Sequence, residues 1–183
     1  MKHSRITLLL IILMSMIGAE AEAHDFEVAN SDGVTIYYKK MSATTVAVSY
    51  KGRLNTSFYN EYTGNVVIPN SVTYDGSTYT VIAIVGAAFY ECSGLTSVTI
   101  PNSVTTIDRD GGDLFYGCSS LVTIKVASGN TKYDSRNNCN AIIETASNTL
   151  VAGCKAYYTQ QREEYWFLCI LWSYWSDFHK HTE

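Results

Sequence analysis

One pattern is written twice near the middle of the chain, as AFYECSGLTSVTI at residues 88–100 and as LFYGCSSLVTIKV at residues 114–126. Phe, Tyr, Cys and Leu hold the same places in both copies, and each copy ends in alternating Val and Ile. Repeated units of this size indicate a solenoid, because one unit cannot bury its apolar face alone and must stack on its neighbours. The sequence therefore predicts a repeat architecture.

The spacing of the copies gives a single period once insertions are removed. The two repeat cysteines, Cys92 and Cys118, are 26 residues apart, and a longer loop at 108–113 accounts for three of these residues. The string IPNSVT occurs at 68–73 and at 100–105, which is 32 residues apart with a nine-residue insertion between the copies. Both measurements leave a base period of 23 residues.

These motifs resemble the leucine-rich repeats of the BspA type, which are found in bacterial surface proteins. The resemblance rests on FYxCSxLxxxxI followed by PNSVTxI, a long and specific match, and it covers residues 66–126. We expect a β-rich leucine-rich-repeat solenoid, with repeats at 66–130 and about three rungs. The rungs would come from 66–72, 95–104 and 121–126, and a weaker variant unit would follow them.

Within one repeat, the apolar positions predict two short strands. Leu95, Val98 and Ile100 are spaced to point into the core from the first strand. After a Pro-Asn turn, Val104 and Ile107 begin a second strand on the return side. Each repeat should therefore contribute one strand to each side of a coil.

Aromatic and thiol side chains are expected to form stacked columns through the coil. Phe89 and Cys92 lie three residues apart on one tight turn. They should stack on Phe115 and Cys118 of the next rung. Such columns would make the core of the repeat region.

The cysteines are interpreted mainly as core residues. Their odd count argues against a full disulfide framework, and small buried thiols behave as apolar side chains. A Cys139–Cys154 bridge is the one pairing that stays open, because an exported chain permits disulfides. The five cysteines are Cys92, Cys118, Cys139, Cys154 and Cys169.

Residues 24–65 do not repeat and are expected to form a small β-rich N-terminal cap. The segments 34–39 and 45–51 are rich in Val, Thr and Tyr with rough alternation, which predicts strands. Terminal units of solenoids need a polar outer face, and this segment has the composition and the position to provide one.

Two hairpins are predicted at and after the repeats. The insertion at 74–82 carries Asp75-Gly76, a dipeptide typical of two-residue hairpin turns. Residues 131–155 form a degenerate repeat, in which Ala-Ser-Asn at 146–148 joins two apolar runs and predicts a second hairpin.

The N-terminus has the pattern of a secretory signal peptide at residues 1–23. Basic residues precede an apolar run at 6–17 that is short for a bilayer span, and Ala-Glu-Ala-Glu-Ala at 19–23 offers two small-x-small cleavage sites. The mature chain would begin at Glu22 or His24. An N-terminal anchor helix is the alternative, although no stop-transfer pattern follows.

The loop at 108–113 brings three carboxylates together, at Asp108, Asp110 and Asp113. Oxygen ligands of this kind suit calcium, but the spacing does not match an EF-hand. A solvated acidic turn is the favoured interpretation. We therefore predict no metal site and no cofactor.

The residue pattern favours binding over catalysis. No histidine is near a Ser or Cys of the repeats, and glycine-rich phosphate loops and metal-spaced Cys/His sets are absent from the sequence. A net charge of −4 with scattered Lys and Arg gives no indication of a nucleic acid partner. The four histidines are His3, His24, His179 and His181.

Two classes of function follow from these expectations. The first, favoured, is a secreted or cell-surface binding module that recognises a partner over an extended solenoid face. The resemblance to bacterial adhesin repeats implies host matrix proteins, other cells or glycans as partners. The second is a structural spacer, or a non-functional fragment of a longer repeat protein.

The tail at 156–183 departs from the pattern, since it holds all three tryptophans of the chain. Consider the reading frame shifted by one nucleotide, in which each new codon takes the second and third nucleotides of one codon and the first of the next. In that frame every Trp codon, TGG, becomes a glycine codon, GGN. Trp166, Trp172 and Trp175 are six and three residues apart, which matches the glycines of a repeat written IGxxAFYGCSGL. The repeat cysteine cannot be encoded across Ser173 and Tyr174. We expect a repeat read out of frame after Lys155.

Overall fold

The computed structural model of the chain describes residues 23–52, 61–108 and 114–154. Three predictions fall outside this part: the signal peptide before residue 23, residues 109–113 of the acidic loop, and the tail from residue 155. The described ranges contain strands and one 3-10 turn at Arg136–Asn138. The strands are β1 Phe26–Ala29, β2 Thr35–Lys40, β3 Thr45–Ser49, β4 Gly64–Val67, β5 Ser71–Tyr74, β6 Ser77–Ile84, β7 Leu95–Ile100, β8 Thr106–Ile107, β9 Thr123–Val126, β10 Tyr133–Asp134, β11 Ala141–Glu144 and β12 Thr149–Gly153.

The two sequence repeats and the segment before them form a three-stranded parallel sheet in the order β4-β7-β9. Val66 pairs with Val98, and Val98 pairs with Ile124, so that equivalent repeat positions lie side by side. All three side chains are buried. The register is set by this apolar row, because a slip of one residue would turn it toward solvent.

A second, larger sheet has the order β1-β2-β3-β6-β5. On one edge of the long strand β6, residues 77–80 pair with β5, and residues 83–84 pair with β8. β6 is parallel to both β3 and β8, whereas the remaining pairs are antiparallel. The first and last strands approach each other, since the Phe26 ring stacks on Tyr74 with centroids 4.3 Å apart. This sheet therefore curls around its own apolar face.

The degenerate unit forms a third sheet, β10-β11-β12, which packs against β9. Its attachment to the repeats includes polar contacts. The Tyr133 hydroxyl accepts a hydrogen bond from the Ile107 amide at 3.2 Å, and Asn130 Nδ2 donates to the carbonyls of Pro101 and Val104 at 2.9 Å. Ser135 Oγ accepts from the Val126 amide. The unit and the residue before it are thus fixed to the return segment at 101–107 and to β9.

A column of rings runs through the core and joins the N-terminal sheet to the repeats. Phe89 stacks on Phe115 with centroids 5.6 Å apart, which confirms the predicted column. On the other side, Phe89 lies 5.0 Å from Tyr62, and Tyr62 lies 5.8 Å from Tyr37. The Cys118 thiol donates to the Phe89 carbonyl at 2.9 Å, so the thiol also contacts the preceding repeat.

Most local predictions are confirmed by the strand positions. The strands predicted at 34–39 and 45–51 are β2 and β3, and the return strand after Pro101 is β8. Asp75 and Gly76 both have positive φ in the turn between β5 and β6, as a two-residue hairpin requires. The hairpin around 146–148 joins β11 and β12. β4 begins at residue 64, two residues before the predicted first rung.

The Cys139–Cys154 bridge, the one disulfide left open by the sequence, does not form. Cys154 is a buried thiol on one end of the hairpin, whereas Cys139 is only half-buried in the turn before β11. The core interpretation is therefore confirmed for Cys92, Cys118 and Cys154 and is wrong for Cys139. Cys169 lies outside the described residues.

Gly117 marks the closest approach of the two repeat turns. Its φ is +78°, and a Cβ added there would lie 2.7 Å from both Cα and Cγ of Glu91. The Glu91 amide donates to the Tyr116 carbonyl at 2.6 Å, which holds the turns together. Glu91 and Gly117 occupy equivalent repeat positions. This contact explains why the second copy has glycine there, since only glycine fits against the Glu91 backbone.

Replacing Gly117 with alanine is expected to destabilise the protein more than the same change at Gly76. Both glycines have positive φ, so both changes carry a backbone cost of about 1–2 kcal/mol. Nothing lies within 4 Å of a Cβ at Gly76, so alanine there should cost no more than this. At Gly117 the alanine Cβ would meet Glu91, which should add about 1–3 kcal/mol of steric strain to the backbone cost. Urea unfolding of the two variants measures the difference. Equal losses would show that the turns do not contact each other.

Candidate binding surface

The described residues offer no arrangement suited to metal binding, and two of their buried thiols are unsuited to nucleophilic chemistry. In ranges 23–52, 61–108 and 114–154, no group of three His, Cys, Asp or Glu side chains could hold a metal ion. Burial raises the pKa of the Cys154 thiol to about 12, and burial likewise raises the pKa of Cys92. Both thiols are protonated at neutral pH, and a protonated thiol is a poor nucleophile.

The acidic loop is described only at its first residue. Asp108 is exposed, and its amide donates to the Ile84 carbonyl at 2.9 Å at the end of β8. Asp110 and Asp113 lie outside the described residues. The calcium hypothesis and the solvated-turn interpretation both stay predictions.

The outer face of the parallel sheet β4-β7-β9 presents two rows of side chains. In the first row, Asn65 pairs with Ser97, which pairs with Thr123. The Ser97 hydroxyl donates to the Asn65 side-chain oxygen across the strands. The second row is Val67, Thr99 and Lys125. Strand alternation places these rows opposite the buried valines, so they face away from the core.

A pair of stacked tyrosines lies on the turns that lead into β7 and β9. The rings of Tyr90 and Tyr116 have centroids 5.0 Å apart and an angle of 16° between their planes. Tyr116 is 50% exposed, which is high for so large a side chain. The two tyrosines occupy equivalent repeat positions, so the repeat that stacks Phe89 on Phe115 inside also stacks these rings outside.

The outward-facing residues of these strands and turns carry hydroxyl, amide and aromatic groups, the apolar Val67 and a single cation, Lys125. We call this surface the tyrosine face, and it consists of the two outer rows and the Tyr90–Tyr116 pair. Tyrosine supplies rigid contact area at low entropic cost, and hydroxyl and amide groups adapt their hydrogen bonds to a partner. Such a surface suits recognition of another macromolecule more than turnover of a small substrate.

A second exposed aromatic position lies on the curled sheet. Tyr74 is 40% exposed, but one face of its ring is covered by Phe26. The Lys40 ammonium lies 5.8 Å from the Phe26 ring and 5.5 Å from the Tyr79 ring, close enough for cation–π attraction. The stack of Tyr74 on Phe26 therefore helps to close the sheet, and this explains the position of Tyr74.

A polar cluster on the degenerate unit makes its hydrogen bonds and its ion pair within the fold. Burial alone would raise the pKa of Asp134, but its bonds to Arg136 outweigh burial and hold the pKa below its usual value. Arg136 Nη2 lies 2.5 Å from Asp134 Oδ2, and its Nη1 donates to Asn148. The cluster fixes the turn before β11 to the hairpin.

Sequence reasoning identified the column but missed one of its members, Tyr62. Its side chain is fully buried, its hydroxyl donates to the Ser49 carbonyl at 2.7 Å, and it accepts from the Tyr37 amide at 3.2 Å. Tyr62 precedes the repeats found in the sequence, which begin at residue 66, so periodicity gave no signal for it. Tyr62 lies four residues before Val66, whereas Phe89 and Phe115 lie nine residues before the paired Val98 and Ile124, so the repeat register does not align it with the column.

The family comparison agrees with the repeat pattern. Residues 54–148 match the model of the BspA type leucine rich repeat region, in six copies. The match extends beyond 66–130 on both sides. No curated protein matches the chain. Among the described residues, no helix has the length and apolar character needed to cross a membrane.

Three solved structures are similar to parts of the chain. A leucine-rich repeat protein from Bacteroides ovatus is 30% identical over 58% of this chain and 24% of its own, with a TM-score of 0.42. A leucine rich cell surface protein from Faecalibacterium prausnitzii is 25% identical over 57% and 25%, with a TM-score of 0.39. A leucine-rich repeat protein from Bacteroides capillosus is 26% identical over 56% and 67%, with a TM-score of 0.39. The chain spans about a quarter of the length of the first two.

Proposed function

Because the chain belongs to the BspA-type leucine-rich repeat family, we propose that it is a non-catalytic binding module that acts outside the cell. It recognises a macromolecular partner through the tyrosine face. The partner is a host matrix protein, a glycan or the surface of another cell. The pattern at residues 1–23 directs export, and the mature chain is secreted or held at the cell surface.

The architecture behind this proposal is a short solenoid. The strands β4, β7 and β9 are the first sides of three stacked rungs, and residues 24–65 cap the first rung. Residues 131–155 are a modified fourth unit that covers part of the third. Stacking of like units explains why one repeated sequence produces both a buried column and a stacked pair of tyrosines outside it.

The observation that carries the proposal is the stacked Tyr90–Tyr116 pair, in which Tyr116 is 50% exposed and Tyr90 is half-buried. A half-exposed tyrosine ring held by stacking is pre-organised, so a partner loses little entropy by ordering it. Tyrosine is also among the residues enriched at the centres of protein interfaces. Hydroxyl groups in the adjacent rows can satisfy polar groups of the partner as they are buried.

The experiment measures binding of the full exported chain to immobilised host matrix proteins, to a glycan array and to host cells. Replacing Tyr116 with serine is expected to weaken the interaction at least about tenfold, or about 1.4 kcal/mol. Replacing Tyr74 with serine is the matched control, because this ring is similarly exposed but lies on the other sheet. That change should alter affinity by less than about twofold. Thermal unfolding verifies that both variants stay folded.

Two results would contradict the proposal. Equal loss of binding in both variants would show that the tyrosine face is not the contact surface. An absence of binding to all three kinds of probe would favour the alternative, in which the chain is a spacer or a fragment of a longer repeat protein.

A further inference from the structure

The residues next to the predicted cleavage sites take part in the fold. The Ala23 carbonyl accepts a hydrogen bond from Ser49 Oγ at 2.7 Å. His24 lies edge-on against the Tyr37 ring at 5.1 Å. The Asp25 amide donates to the Tyr38 carbonyl at 2.8 Å. Residues 23–25 therefore take part in the packed fold before the first strand begins.

Ser49 gives the contact at Ala23 its importance. It is fully buried, and buried hydroxyl groups need a hydrogen-bond partner because loss of hydration is otherwise uncompensated. Its main-chain carbonyl already accepts from the Tyr62 hydroxyl, and Tyr62 is a member of the ring column. Ser49 thus connects Ala23 to the ring column of the core.

The sequence leaves two cleavage positions open. Small residues at 19 and 21 permit a cut after Ala21, and small residues at 21 and 23 permit a cut after Ala23. A cut after Ala23 would remove the acceptor of the Ser49 hydroxyl. It would also create a charged α-ammonium on His24, whose side chain is 10% exposed and whose Nδ1 is buried without a hydrogen bond.

We infer that a signal peptidase cuts between Ala21 and Glu22, so that Ala23 stays in the mature protein as the acceptor for Ser49. This inference rests on the export part of the proposed function. Hydrolysis of the Ala21–Glu22 amide consumes one water molecule. It leaves a carboxylate on Ala21 and an α-ammonium on Glu22, one residue before the contact. Only this cut removes the leader and keeps every contact of residues 23–25.

The test exports the full chain from a bacterial host and determines the N-terminus of the product by intact mass and N-terminal sequencing. The expected first residue is Glu22. Two variants form a matched pair: Ala19→Leu closes only the first site, and Ala23→Leu closes only the second. Ala23→Leu should still give Glu22. Ala19→Leu should move the cut to His24 or leave the precursor uncut.

A product that begins at His24 is expected to unfold about 2–8 °C below one that begins at Glu22, because the buried hydroxyl loses its partner. The inference is overturned if the wild-type product begins at His24, if Ala23→Leu blocks processing while Ala19→Leu does not, or if both products unfold at one temperature. Those results leave export intact. A wild-type chain that crosses the membrane uncut overturns this inference and favours the N-terminal anchor helix, whereas a chain that stays in the cytoplasm overturns export as well.

Discussion

Replacing Phe115 with alanine is expected to destabilise the protein by about 3–5 kcal/mol, the range measured for loss of a buried aromatic side chain. Phe115 is 2% exposed and stacks on Phe89, which in turn contacts Tyr62. Its removal would open a cavity at the last ring of the column. Since a domain of this size has only about 5–15 kcal/mol of net stability, much of it would be lost.

Val122→Ala is the control for this prediction. Val122 lies seven residues further along the same repeat and is 54% exposed, so shortening it should cost less than about 0.5 kcal/mol. Urea unfolding followed by tyrosine fluorescence measures both variants. A midpoint for Phe115→Ala that equals that of Val122→Ala would show that the column does not stabilise the fold.

The repeat region could be predicted from the sequence because its residues occur in register. Once Phe89 and Phe115 occupy equivalent positions, stacking of like units dictates that the rings meet, and the structure has them 5.6 Å apart. The same logic applies to the paired rows of β4, β7 and β9. Turn chemistry predicted the hairpin at Asp75-Gly76, since positive φ at both positions favours these residues.

The N-terminal sheet could not be derived in the same way. Its strands were predicted, but their pairing depends on contacts between residues far apart in sequence and without periodicity. The stack of Phe26 on Tyr74 closes the sheet, and the parallel pairing of β3 with β6 joins it to the repeats. Alternation predicts which residues face inward, but it does not determine which strand is the neighbour.

The candidate surface was predicted only in general terms. The sequence indicated an extended solenoid face, but ordinary β-propensity was the favoured explanation for any single Tyr, so no residue of the face could be named. Tyr62 is fully buried and Tyr116 is half-exposed, although both rings make aromatic contacts. Burial separates them because Tyr62 enters the ring column, whereas Tyr116 lies on the outside of its turn.

The interpretation of the tail as an out-of-frame repeat is also a proposal about structure. Codons for Cys169, Ile170, Leu171 and Trp172 permit Ala-Phe-Tyr-Gly in the shifted frame, the order found at the start of a repeat turn. The described repeats show what such a turn would contact. Its Phe would extend the column from Phe115, and its Tyr would stack on Tyr116 as Tyr116 stacks on Tyr90.

Restoring the frame after Lys155 is therefore expected to raise the free energy of unfolding by at least about 2 kcal/mol, the contribution of one buried aromatic side chain. An added rung gives the column a further neighbour, and neighbour contacts hold a short solenoid together. The gene is first read across codons 150 to 183, where the shifted frame should spell a repeat without a stop codon. The chain with the corrected frame is then compared with the original by urea unfolding.

The control is the corrected chain with its new repeat phenylalanine replaced by alanine, which should return the stability gain to near zero if that ring extends the column. In the original chain, Trp166, Phe167, Leu168, Ile170 and Leu171 would instead form an apolar end that promotes aggregation. Light scattering should then fall when the frame is corrected. Stop codons in the shifted frame, or a corrected chain no more stable than the original, would contradict the proposal, and the aromatic tail would then be a genuine element of the fold.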